Sequence, residues 1–429
     1  MRKRKFKDLL FVLMAVLSLT WQAPFVHAQN ETPALTPEAR DYLNKALDII
    51  QNSSVKQTTN WDEFRRLTME KAAKAQTPAD TYPAIRDALK RLGDSHSGFF
   101  TLDDLKAMDA GRAAGARSDI GIRMRDLVVI TVYPNSAASR AAIEVRDKIL
   151  AIDGTTLNSD SDYFSIISEA KKKSAKGVEV TMQRGAAEPR KIKLEFGEFD
   201  LNLPLQGKVV AESVGLIVLP GFGASLTDQK KALAEANQFA ERVHALIREL
   251  DQKNLRGWIL DLRLNGGGNM WPMLAGVGPI LGEGEVGGFV AARGSSKWSY
   301  QDGKSMINQS VVSQVDAPYK VKNADLPIAI LTDDFTASSA EAVVIAFKGR
   351  PKTHFFGMPT RGIPTANSPF KLSDGAIINL TVAVDADRTG KSYDSKIPPD
   401  TEIKTIWAQY GTDDDPVLKV AASWIKNQK

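Results

Sequence analysis

Cysteine is absent from all 429 residues. That excludes disulfides, thiolate metal sites, iron–sulfur clusters and a cysteine nucleophile. A chain of this length must hold itself together with a large apolar core instead. Histidine is scarce: only His27, His96, His244 and His354 occur. They are too scattered to form a ligand cluster, so neither a metal nor an organic cofactor is expected. No apolar run is long enough to cross a bilayer; the Leu9–Leu19 run falls well short. A charge excess is also missing. Of 56 basic and 51 acidic side chains, five and one lie in the first 28 residues, leaving 51 against 50. That balance gives no electrostatic case for nucleic acid or an anionic membrane.

What is present starts with a targeting segment. Arg2, Lys3, Arg4, Lys5 and Lys7 precede the apolar run, and Val26-His27-Ala28 supplies a cleavage site. Residues 1–28 therefore read as a signal peptide cut after Ala28. No cysteine follows to carry a lipid. The expected product is exported, to a bacterial periplasm or the extracellular space, without a transmembrane anchor after cleavage.

Three regions follow. Residues 34–108 carry helical periodicity: Thr36-Pro37 starts a first helix, Asn60 caps a second, and Gly93 ends a third. Residues 109–200 alternate with period two, as in 127–132, 148–152 and 178–183, and read as a compact β-rich unit. In residues 205–429, apolar strands at 214–219, 258–262, 328–331 and 376–384 are interleaved with helices, which argues an α/β core.

The chemistry-bearing stretches sit at strand-to-helix turns. Thr336-Ala337-Ser338-Ser339-Ala340-Glu341 lies between an apolar strand and an apolar helix. A serine there can be an exposed nucleophile beside backbone N–H donors, or an ordinary helix cap. Asp261-Leu262-Arg263-Leu264-Asn265-Gly266-Gly267-Gly268-Asn269 also follows a strand. Its glycines allow close backbone approach to a ligand. No Gly-Lys-Ser/Thr follows, which argues against a nucleotide loop. Among histidines, His244 reads as a surface or interface residue in mid-helix, and His354 as part of a strand beside the sheet. His96 lies in the loop Gly93-Asp94-Ser95-His96-Ser97-Gly98, as either a base or a turn residue.

These two turns together resemble the carboxyl-terminal processing (tail-specific) serine peptidase family. Gly215-Leu216-Ile217, Leu219-Pro220 and Phe222 resemble the start of its protease core, and Asp387 to Lys391 with Pro399-Asp400 a segment near its end. Ile120-Gly121-Ile122, Asn135 to Ile143 and Asp147 to Gly154 resemble its embedded PDZ domain. The implied fold is multidomain, α+β and α/β: an N-terminal helical domain, a PDZ-like β-barrel and a crotonase-like, ClpP-like α/β protease core. Where many members carry a catalytic lysine, this chain has Ile363, which cannot take a proton. The tricorn-like branch of the clan uses a serine-histidine pair from the helical domain with a distant acid. On that pattern Ser338 is the nucleophile, His96 the base, Ser95 and Asp394 its supports. The oxyanion would meet the N–H of Ser339 and of Gly267 or Gly266. Ile120, Gly121 and Ile122 would bind a peptide tail as an added strand. The implied function is an exported serine endopeptidase acting through an acyl-enzyme on proteins or peptides, without cofactors. The alternative is a catalytically silent, PDZ-containing binding or scaffold protein of the cell envelope. Nothing in the sequence sets an oligomeric state.

Overall fold

The structure is a computed structural model that describes residues 34–428, apart from 57–58, 114–118, 174, 200–202, 226–227 and the side chains of 109–113. The targeting segment and its cleavage site lie outside the described residues.

Helices Pro37–Ser53, Trp61–Lys71 and Tyr82–Arg91 form the first region. Thr36 accepts from the Ala39 N–H at the first helix start, and Gly93 has φ +76° after the third. Their apolar faces do not close on themselves alone. Leu43, Leu47, Ile50, Ile85 and Phe99 share one core with Leu372, Ile378 and Leu380 from the C-terminal region. Strand Gly98–Phe100 pairs antiparallel with the long strand Ile377–Asp387, Gly98 opposite Asn379. The helical region is thus docked on the core by both burial and backbone pairing, and the loop 93–98 is fixed between them.

The middle region is a six-stranded antiparallel sheet ordered Ile122–Arg125, Val128–Val132, Lys148–Ile152, Gly177–Gln183, Arg190–Glu195, with the short Thr155–Thr156 paired to Lys148–Ile152, closed by helix Asp160–Lys172. Its own core gathers Ile120, Val129, Ile149, Tyr163 and Val180. Strand Ile122–Arg125 forms one edge of this sheet. It faces the loop before Ser338: Arg125 pairs with Asp334, and the Arg123 and Arg125 guanidiniums lie 5.4 and 4.9 Å from the Phe335 ring centre.

The C-terminal region holds two sheets. One runs Thr401–Glu402, Thr353–Gly357, Ile328–Thr332, Gly257–Asp261, Val214–Val218, parallel throughout, with Gln206–Val210 antiparallel at its edge. The two central strands are buried at every residue, as continuous apolar runs covered on both faces require. Helices Gln229–Leu250, Met270–Leu281 and Ser339–Phe347 cover one face and Pro416–Lys426 the other. The strand expected at 376–384 as a neighbour in this sheet is Ile377–Asp387 and belongs to a second, antiparallel sheet. It pairs antiparallel with Gly98–Phe100, Gly284–Ala291, Thr365–Lys371 and Ser392–Tyr393. His354 lies in strand Thr353–Gly357 as expected.

His244 differs from its reading as a surface or interface residue. It is 2% exposed, and its Nε2 meets the Ala275 carbonyl at 2.8 Å between two packed helices. Burial pushes its pKa down to about 4, so it sits in the core as a neutral ring.

Candidate active site

Strand Ile328–Thr332 ends in the turn that carries Ser338, and helix Ser339–Phe347 begins one residue later. Ser338 has φ +55° and ψ −121°. A non-glycine residue in that region costs about 1–3 kcal/mol and persists only where the surroundings over-determine it. They do so here. The Ser338 N–H donates to Glu341 Oε2 at 2.8 Å, and Ala337 N–H to the Asn265 carbonyl at 3.1 Å. Thr336 Oγ1 donates to the Leu262 carbonyl at 2.9 Å. Glu341, fully buried, also accepts from Thr360 Oγ1 and from the N–H groups of Gly362 and Ile363. Ile363 therefore serves this site through its backbone.

The glycine turn lies against the serine turn. A Cβ on Gly267 would come within 2.9 Å of Ser338 Cβ and 2.6 Å of the Ala337 carbonyl, so only glycine fits. Asn265 joins the two turns: its Oδ1 accepts from Gly267 N–H at 2.9 Å while its Nδ2 donates to the Leu219 carbonyl at 3.1 Å. The N–H of Gly267, one of the expected oxyanion donors, is therefore occupied. Gly266 is exposed and does not line the cleft. Gly268 and Ser339 do, and among the described residues no protein acceptor meets either N–H. Ser339 Oγ donates to the Gly268 carbonyl at 2.7 Å and holds that peptide in place.

The loop 93–98 brings His96 across 242 residues of sequence. Ser338 Oγ and His96 Nε2 are 3.0 Å apart, and His96 Nδ1 lies 2.7 Å from Thr365 Oγ1. Asp94 shapes the loop by accepting from the N–H groups of His96 and Ser97 and from Thr381 Oγ1. Asn367 Nδ2 donates to the His96 carbonyl at 2.7 Å. Burial holds the His96 pKa below 6.5, with the Asp94 charge opposing. Ser95 and Asp394 are both exposed, and among the described residues neither makes a hydrogen bond to His96. The Nδ1 position they were expected to support is taken by Thr365. The backbone at Ile120, Gly121 and Ile122 opens the edge strand of the middle sheet; Gly121 has φ +84°, and the Ile120 N–H donates to Asp119 Oδ1 at 2.6 Å.

Ser338 and His96 open into a cleft of about 450 Å³, with Met270, Trp271, Phe289 and Ala342 as its apolar wall. A hydroxyl within hydrogen-bonding reach of an imidazole, with two N–H groups facing the same cleft, supplies the nucleophile, base and oxyanion donors that acyl transfer requires.

Residues 213–403 match the sequence model of peptidase family S41, and residues 118–194 that of the PDZ domain. The nisin-resistance protein of Lactococcus lactis subsp. lactis is 31% identical over 192 residues, 45% of this chain and 57% of that protein. The chloroplastic carboxyl-terminal-processing peptidase 2 of Arabidopsis thaliana is 25% identical over 91% of this chain and 76% of that protein. The solved structure of the photosystem II D1 C-terminal processing protease superposes with a TM-score of 0.53 at 21% identity, covering 86% of this chain and 94% of that one. At that identity the likeness is one of fold.

Proposed function

The chain belongs to peptidase family S41 and is a serine-type peptidase, and on that premise we propose that it is an exported endopeptidase working through a Ser338–His96 pair. The observation that carries this reading is the 3.0 Å contact between Ser338 Oγ and His96 Nε2. With the Nδ1 hydrogen donated to Thr365 Oγ1, Nε2 keeps a lone pair for the serine proton. Ser338 Oγ attacks a peptide carbonyl while His96 takes that proton. The oxyanion is held by the N–H groups of Ser339 and Gly268. His96 then protonates the leaving amine, and water releases the acyl group by the reverse sequence. Extended substrate enters as an added strand on the Ile122–Arg125 edge, with its tail toward Gly121. Ser95 and Asp394 have no step in this scheme.

The test is incubation with an unstructured polypeptide and mass spectrometry of the products. New internal termini made by the wild type and not by Ser338→Ala support an endopeptidase; an intact substrate with both proteins argues for the silent binding protein.

Two predictions follow from the histidine. Its lowered pKa keeps the free base available below pH 6.5, so kcat/KM holds through neutrality and falls only as pH drops through the folded-state value. An acid limb centred above 6.5 would contradict this. Thr365 is a positioning residue, acting through His96 alone. Thr365→Val is expected to lower kcat/KM about 10- to 100-fold, the worth of one hydrogen bond to a ring that becomes charged. The same change moves the acid limb to lower pH, because the imidazolium loses an acceptor. Thr365→Ser restores both; a packing defect would leave the limb where it was.

A further inference from the structure

Among the described residues that line the cleft, Asp385 is the one carboxylate. It lies on strand Ile377–Asp387, directly across from Phe289 on the neighbouring strand, and lines the cleft that holds Ser338. It is 2% exposed. Its backbone is satisfied, with the N–H donating to the Pro364 carbonyl at 3.0 Å. Its side chain is not: Oδ1 is buried with no hydrogen-bond partner. Two residues on, Asp387 shows what a structural aspartate on this strand looks like. Its carboxylate accepts from the Thr389 N–H and hydroxyl, the Lys391 N–H and the Tyr393 hydroxyl. Buried polar groups are almost always paired, so an unpaired acid in a substrate cleft calls for a partner that arrives with the substrate.

The surroundings say what charge that partner carries. No lysine or arginine lines the cleft, and the charged group acting on Asp385 is another acid, Glu341. Burial, and then that neighbour, push the Asp385 pKa well above the ordinary carboxylate range. Glu341 is already engaged by four donors, which leaves Asp385 as the acid with capacity to spare. Met270, Trp271, Phe289 and Ala342 give the cleft an apolar wall beside a polar lining that includes Asn269, Asn367 and Asn379. A cleft that offers both an apolar wall and an unpaired carboxyl suits a long aliphatic stem with a cationic head.

We propose that Asp385 sets the specificity of the subsite beside Ser338, so that the chain cleaves after lysine or arginine. This rests on the peptidase reading above and adds the substrate class. A cationic side chain entering the pocket would take the place of the carboxyl proton, which leaves to solvent as the ion pair forms; no covalent step is involved.

The experiment uses the full chain and a set of peptides that differ only at the residue before the scissile bond: Lys, Arg, Gln, Leu or Ala. The expected result is a kcat/KM for Lys and Arg about 10- to 100-fold above the other three, the discrimination expected of a matched buried polar contact. In Asp385→Asn the ratio of Lys to Leu cleavage is expected to fall at least about tenfold, since the amide keeps the shape and loses the charge. Cleavage that favours Leu, Ala or Gln in the wild type overturns the inference while leaving the peptidase reading intact. So does an Asp385→Asn protein whose Lys-to-Leu ratio is unchanged. If the asparagine variant fails to fold, the wild-type profile still decides. No cleavage of any peptide, with no fluorophosphonate labelling of Ser338, removes the peptidase reading and this inference with it.

Discussion

His96→Ala is expected to lower kcat/KM on peptide substrates by about 10⁴-fold or more, as much as Ser338→Ala does. The reason is that the two side chains act as one unit. Without a proton acceptor the hydroxyl is a poor nucleophile, and without the hydroxyl the imidazole has nothing to activate. The double variant should therefore be no worse than either single one. Among the described residues no lysine lines the cleft to rescue the reaction. Ile363 occupies the position that matches the family's lysine. Lys348, at the other end of the Ser338 helix, has its ammonium 3.4 Å from the Phe355 ring centre. Steady-state kinetics on the two single variants and the double variant check this. A His96→Ala protein that keeps a tenth of wild-type activity would remove histidine from the mechanism.

Arg263→Ala is expected to destabilise the fold by about 3–5 kcal/mol, the usual cost of stripping one partner from a buried ion pair. Arg263 is fully buried, and Asp261 and Asp415 are 2% and 0% exposed. Its guanidinium donates to both: Nη2 lies 2.7 Å from Asp261 Oδ2 and 2.8 Å from Asp415 Oδ2, with Nε and Nη1 completing each fork. The Tyr410 ring lies 4.6 Å below. Asp415 caps helix Pro416–Lys426, so this one side chain fastens the last helix to the strand that leads into the glycine turn. Removing it strands two carboxylates in the core. Thermal unfolding should show a Tm lower by roughly 5–15 °C. Arg263→Lys should recover only part of it, because an ammonium cannot fork to two carboxylates at once. An unchanged Tm would mean the triad adds nothing to stability.

The Asp-Leu-Arg-x-Asn pattern was visible in the sequence, but only the structure shows that its arginine is a scaffold and its asparagine a weld between two turns. The same divide runs through the site. On its own stretch Ser338 read as well as a helix cap as a nucleophile, and the family resemblance was what singled it out. His96 stood out by its glycine- and serine-bounded loop and the scarcity of histidine, but base and turn residue stayed equally open until the resemblance was added. Thr365 left no signal: a threonine in a strand is ordinary, and its role depends on a contact made 269 residues away. Asp394 was assigned as the missing acid from the resemblance alone, by its place before Pro399-Asp400, yet it is exposed. Among the three glycines, which N–H stays free depends on where the Asn265 side chain turns, and composition says nothing of that. His244 was readable in retrospect. It falls four residues after Ala240 and three before Ile247, on the buried face of its helix. The long strand Ile377–Asp387 was found but assigned to the wrong sheet, because a strand's partners are set by pairing across the fold rather than by its own pattern.

The central claim is that His96 activates Ser338, and the most direct measurement is fluorophosphonate labelling followed by mass spectrometry of the modified residue. The account predicts one adduct, on Ser338, in the wild type and none within the same time in His96→Ala. Labelling of His96→Ala at the wild-type rate, an adduct on another serine, or no labelling of folded wild type would each contradict it.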